Sequence, residues 1–278
     1  MKSKKALIFM LVLMGLLLIL GCPKKEVKEE AVSGKITISG SGTCMPLVEI
    51  LADGFIKENP EVDIVFEPGV HSSGGVKGVD ESILDIGTVS RELKDEEKKT
   101  GVKYSLLSND GLVLGASKDV NVVELTVEQI KSIFSGEISN WKDVNGPDKE
   151  IVVLDRNEDE SAKIILRKFV LGPDLKVTEK AAILYFEDEM IEAVKVTEGA
   201  IGYFSLGFAQ STNLDVNLIK INGIEPSVES ILSGDYEILR PLGIVVKNPN
   251  EVTQKFVDFM LSDEAKEIMK ENGFAPAK

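Results

Sequence analysis

The chain has 278 residues, and its 46 acidic against 32 basic side chains give a formal net charge of −14. This length indicates two lobes or one large domain, and the acidity argues against a nucleic-acid partner, which would require a clustered basic face. One histidine (His71) and two cysteines (Cys22 and Cys44) are too few for a Cys/His zinc site, and a Ser–His or Cys–His catalytic pair has only His71 available.

The N-terminus has the pattern of an export signal. Three lysines within the first five residues precede residues 6–20, which are apolar apart from one glycine. A membrane-spanning helix needs about 20 apolar residues, so this shorter run predicts a signal peptide at residues 1–22. The run ends in Ile-Leu-Gly-Cys, which resembles a lipobox and predicts lipidation of Cys22. The alternative is an uncleaved signal anchor, and both interpretations place the body outside the cytoplasm.

Residues 23–34 are charged and lack apolar periodicity, which predicts a tether between the anchor and the body. A diacylglyceryl group on Cys22 carries two acyl chains, which suffice for stable anchoring at the extracytoplasmic face of the cell membrane. Lipidation of Cys22 leaves Cys44 without an intramolecular partner, so we expect no disulfide in the body.

Strand and helix patterns alternate along the rest of the chain. Residues 35–39 alternate as a short strand, and apolar residues at helical spacing follow and end before Pro60. Thr126 and Gln129 form a capping-box pattern at the start of a helix over residues 127–134. Further strands are predicted at residues 62–67, 82–89, 106–117, 151–154, 201–204, 218–221 and 242–246, and further helices at 161–171, 253–261 and 263–271. This succession predicts an α/β architecture whose ligands bind at the carboxyl ends of the strands.

Three strand-to-helix junctions are rich in glycine and in small hydroxyl-bearing residues: 40–44, 72–75 and 160–163. A helix N-terminus offers unpaired N–H groups and a partial positive charge, which suit a phosphate or sulfate. Each junction alone is also explained by ordinary helix capping. The three together indicate an anion site, provided that they converge.

Arg156 lies at the end of the predicted strand at 151–154, one residue beyond Asp155 and just before the third junction. Its planar guanidinium can hold an oxyanion with two parallel hydrogen bonds. The alternative is a surface arginine among neighbouring carboxylates. No Gly-Lys-Ser/Thr follows a glycine-rich turn, which excludes the phosphate loop of nucleotide hydrolases. In so acidic a chain, anion attraction must be local, inside a cleft shielded from the surface carboxylates.

Six motifs that run through nearly the whole body resemble, in order, those of the substrate-binding proteins of phosphate ABC importers. They are ISGSGTCMP (38–46), HSSGGVKGV (71–79), LDIGTVSREL (84–93), LTVEQIKSIFSGEISNWKDV (125–144), AIGYFSLG (200–207) and RPLGIVV (240–246). The resemblance implies a type II periplasmic-binding-protein fold, in which two α/β lobes joined by hinge strands enclose phosphate in a cleft. It also implies an ABC importer permease as the partner. We further expect a monomer without cofactor or catalytic activity, although the sequence does not encode the oligomeric state in any pattern.

The resemblance implies phosphate-binding positions in three loops, at the end of the third strand and at the arginine: Ser41, Gly42, Thr43, Cys44, Met45, Ser72, Ser73, Gly74, Ser90, Arg91, Arg156, Ser161, Ala162 and Lys163. Two positions depart from the family pattern. Cys44 stands where Ser or Thr is usual, and Ser-Ala-Lys at 161–163 replaces the usual Ser-Gly-Thr. His71 is expected to pack at the rim of the cleft, with ligand contact as the alternative.

Some relatives carry Asp at the position of Ser90 to accept the proton that phosphate keeps near neutral pH, and this chain does not. Such an acceptor strengthens the binding of phosphate and weakens the binding of sulfate, which has no proton to donate. Our hypothesis from the sequence is that Glu160 or Asp159 supplies the missing acceptor.

For the two lobes that the resemblance implies, we expect lobe I at residues 35–112 plus 238–278 and lobe II at 113–237. The predicted function is an extracytoplasmic solute-binding lipoprotein that captures inorganic phosphate and delivers it to an ABC importer. One alternative is the same role for sulfate, molybdate or tungstate. Another is a secreted phosphoesterase with a serine or Cys44 as nucleophile, although one histidine and no evident metal-carboxylate cluster argue against it.

Overall fold

Strands and helices alternate in the computed structural model of the protein, which describes residues 32–212 and 214–278. The predicted signal peptide, the lipidation site Cys22 and most of the tether lie outside these residues. The strands are β1 (Gly34–Gly40), β2 (Val62–Phe66), β3 (Ile86–Val89), β4 (Lys103–Ala116), β5 (Glu124–Leu125), β6 (Val152–Arg156), β7 (Ala182–Leu184), β8 (Ala200–Ser205), β9 (Asn217–Ile221) and β10 (Leu239–Val246).

The α-helices are short to medium in length: α1 (Met45–Glu58), α2 (His71–Asp80), α3 (Asp95–Lys98), α4 (Val127–Ser135), α5 (Ser161–Leu166), α6 (Glu187–Val196), α7 (Leu206–Ser211), α8 (Val228–Ser233), α9 (Glu251–Met260) and α10 (Asp263–Glu271). A 3₁₀ turn spans Trp141–Val144, and α5 continues into a π-helical turn at Arg167–Leu171. No helix in the described part of the chain combines the length and the apolar character needed to cross a membrane.

Most predicted elements are present with shifted ends. The capping box is confirmed, since the Gln129 N–H donates to Thr126 Oγ1 at 3.2 Å and the Thr126 N–H donates to Gln129 Oε1 at 2.9 Å. The strand predicted at 82–89 is confined to β3, because the backbone at Ser82 has a φ of +59° and turns there. The predictions missed β5, β7 and α6–α8.

The strands form one connected sheet in the order β2-β1-β3-β10-β4-β8-β6-β7, with β9 pairing with both β4 and β5. Strand β1 is parallel to β2 and β3, and β6 is parallel to β7 and β8. Strand β4 is shared, because its residues 103–111 pair with β10 whereas residues 112–116 pair with β8 and β9. Each half of the sheet therefore has its own set of parallel strands, and β4 and β10 join the two halves.

Each half has its own hydrophobic core. The first packs β1 and β10 against α1, α9 and α10, with Phe55 and Phe256 in ring contact at 5.0 Å. The second gathers β4, β6 and β8 with α4–α6 and includes Trp141, which is fully buried and donates its indole N–H to the Gly199 carbonyl at 2.9 Å. Trp141 is therefore a core residue of the second half.

Four loops follow the carboxyl ends of β1, β2, β6 and β7. The parallel strands of the two halves run in opposite directions, so these ends face each other where β4 passes from one half to the other. The four loops lead from β1 to α1, from β2 to α2, from β6 to α5 and from β7 to α6. Close approach of the first loop to β3 requires glycine at Gly40: its φ is +142°, and a Cβ there would lie 2.3 Å from the Thr88 carbonyl oxygen. The fold thus brings hydroxyl-rich junctions from both halves to one place.

Candidate functional site

A cavity of about 850 Å³ lies between the four loops. It brings together most of the predicted binding residues: Ser41, Gly42, Thr43, Met45, Ser72, Ser73, Ser90, Arg91, Arg156 and Ser161. The two predicted proton acceptors, Asp159 and Glu160, also line it. The first half of the sheet supplies one wall, and the β6–α5 and β7–α6 loops supply the other.

Four predicted positions do not line the cavity: Cys44, Gly74, Ala162 and Lys163. The Cys44 thiol is fully buried in the first core and donates to the Gly243 carbonyl at 3.4 Å. Burial raises the pKa of Cys44 to about 12, so the thiol is protonated at neutral pH and is not a nucleophile. The Lys163 ammonium group is also fully buried, 2.5 Å from Asp155 Oδ2.

Three serine hydroxyls form a chain across the cavity. Ser41 Oγ donates to Ser90 Oγ at 2.8 Å, and Ser90 Oγ lies 3.1 Å from Ser161 Oγ on the opposite wall. The Ser90 N–H donates to Ser72 Oγ at 3.1 Å, which holds the two neighbouring loops together. Hydroxyl groups rotate freely and both donate and accept, so all three can turn their protons toward an oxyanion between the walls.

Arg156 is buried at the base of this serine chain, at the end of β6. Its Nη2 donates to the Tyr185 carbonyl at 2.9 Å and to Glu160 Oε2 at 3.2 Å, and its Nη1 lies 3.4 Å from Glu187 Oε2. Its buried Nε–H has no hydrogen-bond partner among the described residues. An unpaired buried donor of a charged group is costly.

Glu187, the first residue of α6, is a cavity-lining residue that the sequence interpretation missed. Its Oε1 accepts from the Ser205 N–H at 2.7 Å and from Arg240 Nη2 at 3.1 Å, while Thr43 Oγ1 donates to its Oε2 at 3.4 Å from the opposite wall. Burial tends to raise its pKa, but the charges of Arg240 and Arg156 hold the pKa below the ordinary value for glutamate. Glu187 is therefore an ionised carboxylate in the cavity wall.

A chain of alternating charges leads from the cavity to the strands shared by the two halves. Arg240 on β10 is fully buried and lies opposite Asp110 on β4, with Nη2 3.3 Å from Asp110 Oδ2. Burial raises the pKa of Asp110 to about 6, although the Arg240 charge opposes the rise. The order Asp110–Arg240–Glu187–Arg156 leaves each buried charge next to an opposite one, which offsets part of its desolvation cost.

Comparison with known proteins identifies the family. The model of the PBP superfamily domain matches residues 26–264. The chain belongs to the PBP superfamily. The phosphate-binding protein PstS of Borreliella burgdorferi is 32% identical over 100% of both chains. The phosphate-binding protein PstS of Bacillus subtilis is 30% identical, over 89% of this chain and 82% of that protein.

Solved structures of PBP-superfamily proteins agree in fold. A Clostridium perfringens protein, described as a phosphate ABC transporter substrate-binding protein and solved with bound phosphate, superposes with a TM-score of 0.78. It is 32% identical, over 88% of this chain and 100% of that one. The Borrelia burgdorferi PstS structure gives a TM-score of 0.56 at 28% identity. The predicted fold class, an α/β type II periplasmic-binding-protein fold, is confirmed.

In this member of the PBP superfamily, Lys163 supports Arg156 from behind the cavity. Lys163 pairs with Asp155 Oδ2, and the Tyr203 hydroxyl donates to Asp155 Oδ1 at 2.7 Å. Burial and the negative charge of Asp155 raise the pKa of Tyr203, so its hydroxyl stays protonated. The Arg156 N–H donates to the same hydroxyl oxygen at 3.0 Å, which fixes the backbone from which the guanidinium projects.

Replacing Lys163 with methionine is expected to lower the free energy of unfolding by about 3–5 kcal/mol, because Asp155 would remain as a buried carboxylate without its cation. Urea denaturation measures the change. The double variant Lys163→Met/Asp155→Asn should lose less, since no buried charge is left unpaired. Lys168→Met, at an exposed position of the following turn, is the matched control and should change the value by no more than about 0.5 kcal/mol. A Lys163→Met protein as stable as this control would contradict the interpretation.

Proposed function

We propose that this protein is an extracytoplasmic solute-binding protein that captures inorganic phosphate and delivers it to the permease of an ABC importer. The observation that carries the proposal is the convergence of Ser41, Ser90, Ser161 and Arg156 from both walls of one cavity. The similarity to relatives named for phosphate binding, one of them solved with bound phosphate, supports the same ligand.

A tetrahedral oxyanion presents four oxygens, and the cavity offers donors in matching directions. The serine hydroxyls approach from both walls, Arg156 adds a charged donor, and the N-terminus of α2, which favours an anion, lies in the first wall. Each charge-assisted hydrogen bond contributes about 1.5–3 kcal/mol. Several of them together supply the roughly 8 kcal/mol that micromolar capture requires, after the cost of ordering the ligand.

We propose Glu187 as the acceptor that selects phosphate, in addition to the sequence-based candidates Asp159 and Glu160. Its side chain is 4% exposed whereas that of Glu160 is 22% exposed, and two arginines keep it ionised. Monohydrogen phosphate can donate its proton to this carboxylate. Sulfate has no proton at neutral pH and would place a second negative charge against Glu187, which costs affinity.

We propose that residues 35–112 with 238–278 form one lobe and residues 113–237 the other. The two hydrophobic cores support this division, and the chain passes between the halves along β4 and before β10. Phosphate would enter while the lobes are apart and be enclosed when the walls meet. Hydrogen bonds that already join the walls, such as the one between Ser90 and Ser161, support closure at this place.

We further propose a lipid anchor at Cys22, a location at the extracytoplasmic face of the cell membrane, and a monomeric protein without enzymatic activity. The sequence pattern at residues 1–22 supports the anchor. The protonated, buried Cys44 thiol argues against its role as the nucleophile of a phosphoesterase.

Isothermal titration calorimetry with phosphate, sulfate, molybdate and tungstate tests the proposal. We expect phosphate to bind with micromolar or tighter affinity and sulfate to bind at least about 100-fold more weakly, because sulfate has no proton to donate to the ionised Glu187 and is repelled by its charge. Tight binding of sulfate, molybdate or tungstate without binding of phosphate would assign the protein to another oxyanion. Turnover of a generic phosphoester would move it to an enzyme class.

A further inference from the structure

His71 is the single histidine of the chain, and it occupies an unusual backbone position at the start of α2. Its φ is +59°, in the left-handed region that non-glycine residues adopt rarely and at a cost of about 1–3 kcal/mol. Its neighbour Ser72 accepts the Ser90 N–H, so the first turn of α2 is built into the cavity wall. The strained conformation places the imidazole at the mouth of the cavity.

The His71 side chain contacts the opposite wall in two ways. Its ring stacks on the Phe186 ring, with centroids 5.4 Å apart and planes inclined by 12°. Its Nδ1 lies 3.8 Å from Glu160 Oε1, while the other oxygen of that carboxylate accepts from Arg156 Nη2 at 3.2 Å. One side chain of the first wall thus reaches two loops of the second, those that precede α5 and α6.

Charged groups face the mouth from both walls. Glu160, Asp159 and Asp188 lie on the wall opposite His71, together with the buried pair Glu187 and Arg156. On its own wall lie Glu49, Lys94 and Arg91, the last of which is held by Glu97 at 2.7 Å. The nearest charged partner of the imidazole is therefore Glu160, and a protonated imidazole is attracted to it.

We infer that His71 is a positioning residue that closes the mouth of the cavity over bound phosphate, by stacking on Phe186 and by pairing with Glu160. The inference rests on the proposed function. Both contacts exist only when the two walls are together, so they stabilise the closed form alone and raise the affinity for an enclosed ligand. The stack operates at any pH, whereas the ion pair requires a charged imidazole.

The ion pair gives the inference a pH signature. Imidazole side chains in general gain their charge between about pH 8 and pH 5. Protonation strengthens the contact with Glu160 and therefore favours the closed, phosphate-bound form. The contribution of His71 to affinity is present at low pH and falls as the pH rises. A purely structural role for His71 would not change with pH in this way.

The experiment compares the phosphate affinities of the full chain and of two variants at pH 5.5 and pH 8.5. His71→Phe keeps an aromatic ring for the stack but has no charge, and His71→Asn removes both while tolerating a positive φ. At each pH we take the ratio of wild-type to variant affinity. Both proteins bind the same forms of phosphate at a given pH, so the change of phosphate with pH cancels in this ratio. Any constant cost of placing Phe at this φ also divides out when the two pH values are compared.

We expect the ratio of wild-type to His71→Phe affinity to be about 2- to 5-fold larger at pH 5.5 than at pH 8.5, the range for a partly exposed ion pair. His71→Asn should bind more weakly than the wild-type protein at both values. In a Glu160→Gln background, the pH dependence of the wild-type to His71→Phe ratio should disappear.

A ratio that is equal at the two pH values, or His71→Asn affinity equal to wild-type at both, would overturn the inference. Failure of the wild-type protein to bind phosphate would instead overturn the proposed function. If the wild-type protein binds phosphate and both His71 variants bind it with the same affinity, only the role of His71 is overturned.

Discussion

Replacing Arg156 with methionine is expected to weaken phosphate binding by at least about 100-fold. The variant loses a buried cation and its charge-assisted hydrogen bonds to the ligand, which together are worth about 3 kcal/mol or more. It also leaves Glu187 with one arginine fewer, so that the carboxylate repels the anion more strongly. Calorimetry measures the affinity, and urea denaturation establishes that the variant folds.

Two further variants distinguish charge, geometry and folding. Arg156→Lys keeps the charge but not the planar fork, so it should recover only part of the loss. Arg167→Met is the matched control, because Arg167 follows α5 outside the cavity and pairs with Glu158. Its phosphate affinity should stay within about 2-fold of wild-type. Binding by Arg156→Met within about 10-fold of wild-type would exclude Arg156 as a principal ligand.

Replacing Glu187 with glutamine is expected to shift the preference between phosphate and sulfate by at least about 10-fold toward sulfate. The amide no longer repels an unprotonated anion, and Arg156 and Arg240 then leave the site with an excess of positive charge. Phosphate loses the ionised acceptor for its proton. Because the two arginines hold the pKa of Glu187 below its ordinary value, the wild-type preference should persist as the pH falls from 8 to 5.

The corresponding amide variants of the other two carboxylates separate the candidates. Asp159→Asn and Glu160→Gln each remove one charge from the same cavity. If Glu187 is the acceptor, both should retain at least most of the phosphate preference. A loss of preference in one of them, with Glu187→Gln unchanged, would instead assign the role to that residue and support the hypothesis drawn from the sequence.

Carboxylates line the cavity itself, so the expectation of a cleft shielded from carboxylates is wrong. Five acidic side chains line the cavity: Glu49, Asp159, Glu160, Glu187 and Asp188. A general positive field therefore does not attract an anion here. Binding depends on donors at short range, where a hydrogen bond from a hydroxyl or guanidinium outweighs the more distant charges.

Local sequence patterns determined the secondary structure of this protein and several residues of the candidate site. The alternation of strands and helices depends on residue spacing, the α4 capping box on residues three apart, and the hydroxyl-rich junctions on a few consecutive residues. Arg156 lies at the end of its strand, just before a hydroxyl-rich junction, and this position predicts its place at the site. Parallel strands place their carboxyl ends at one edge, so the convergence of the junctions within each half follows from the predicted α/β architecture. That the two edges face each other follows only from the pairing of β4 with β10 and with β8.

The tertiary structure alone decided which side chains face the cavity. Lys163 and Cys44 lie in predicted binding segments, yet a buried carboxylate draws the first away and a hydrophobic core encloses the second. Glu187 was missed because its acidic helix start is also an ordinary capping pattern. Its partners Arg240 and Thr43 are 53 and 144 positions away in the chain. Burial and ion pairing arise between residues that are distant in sequence, and no local pattern encodes which of them will meet.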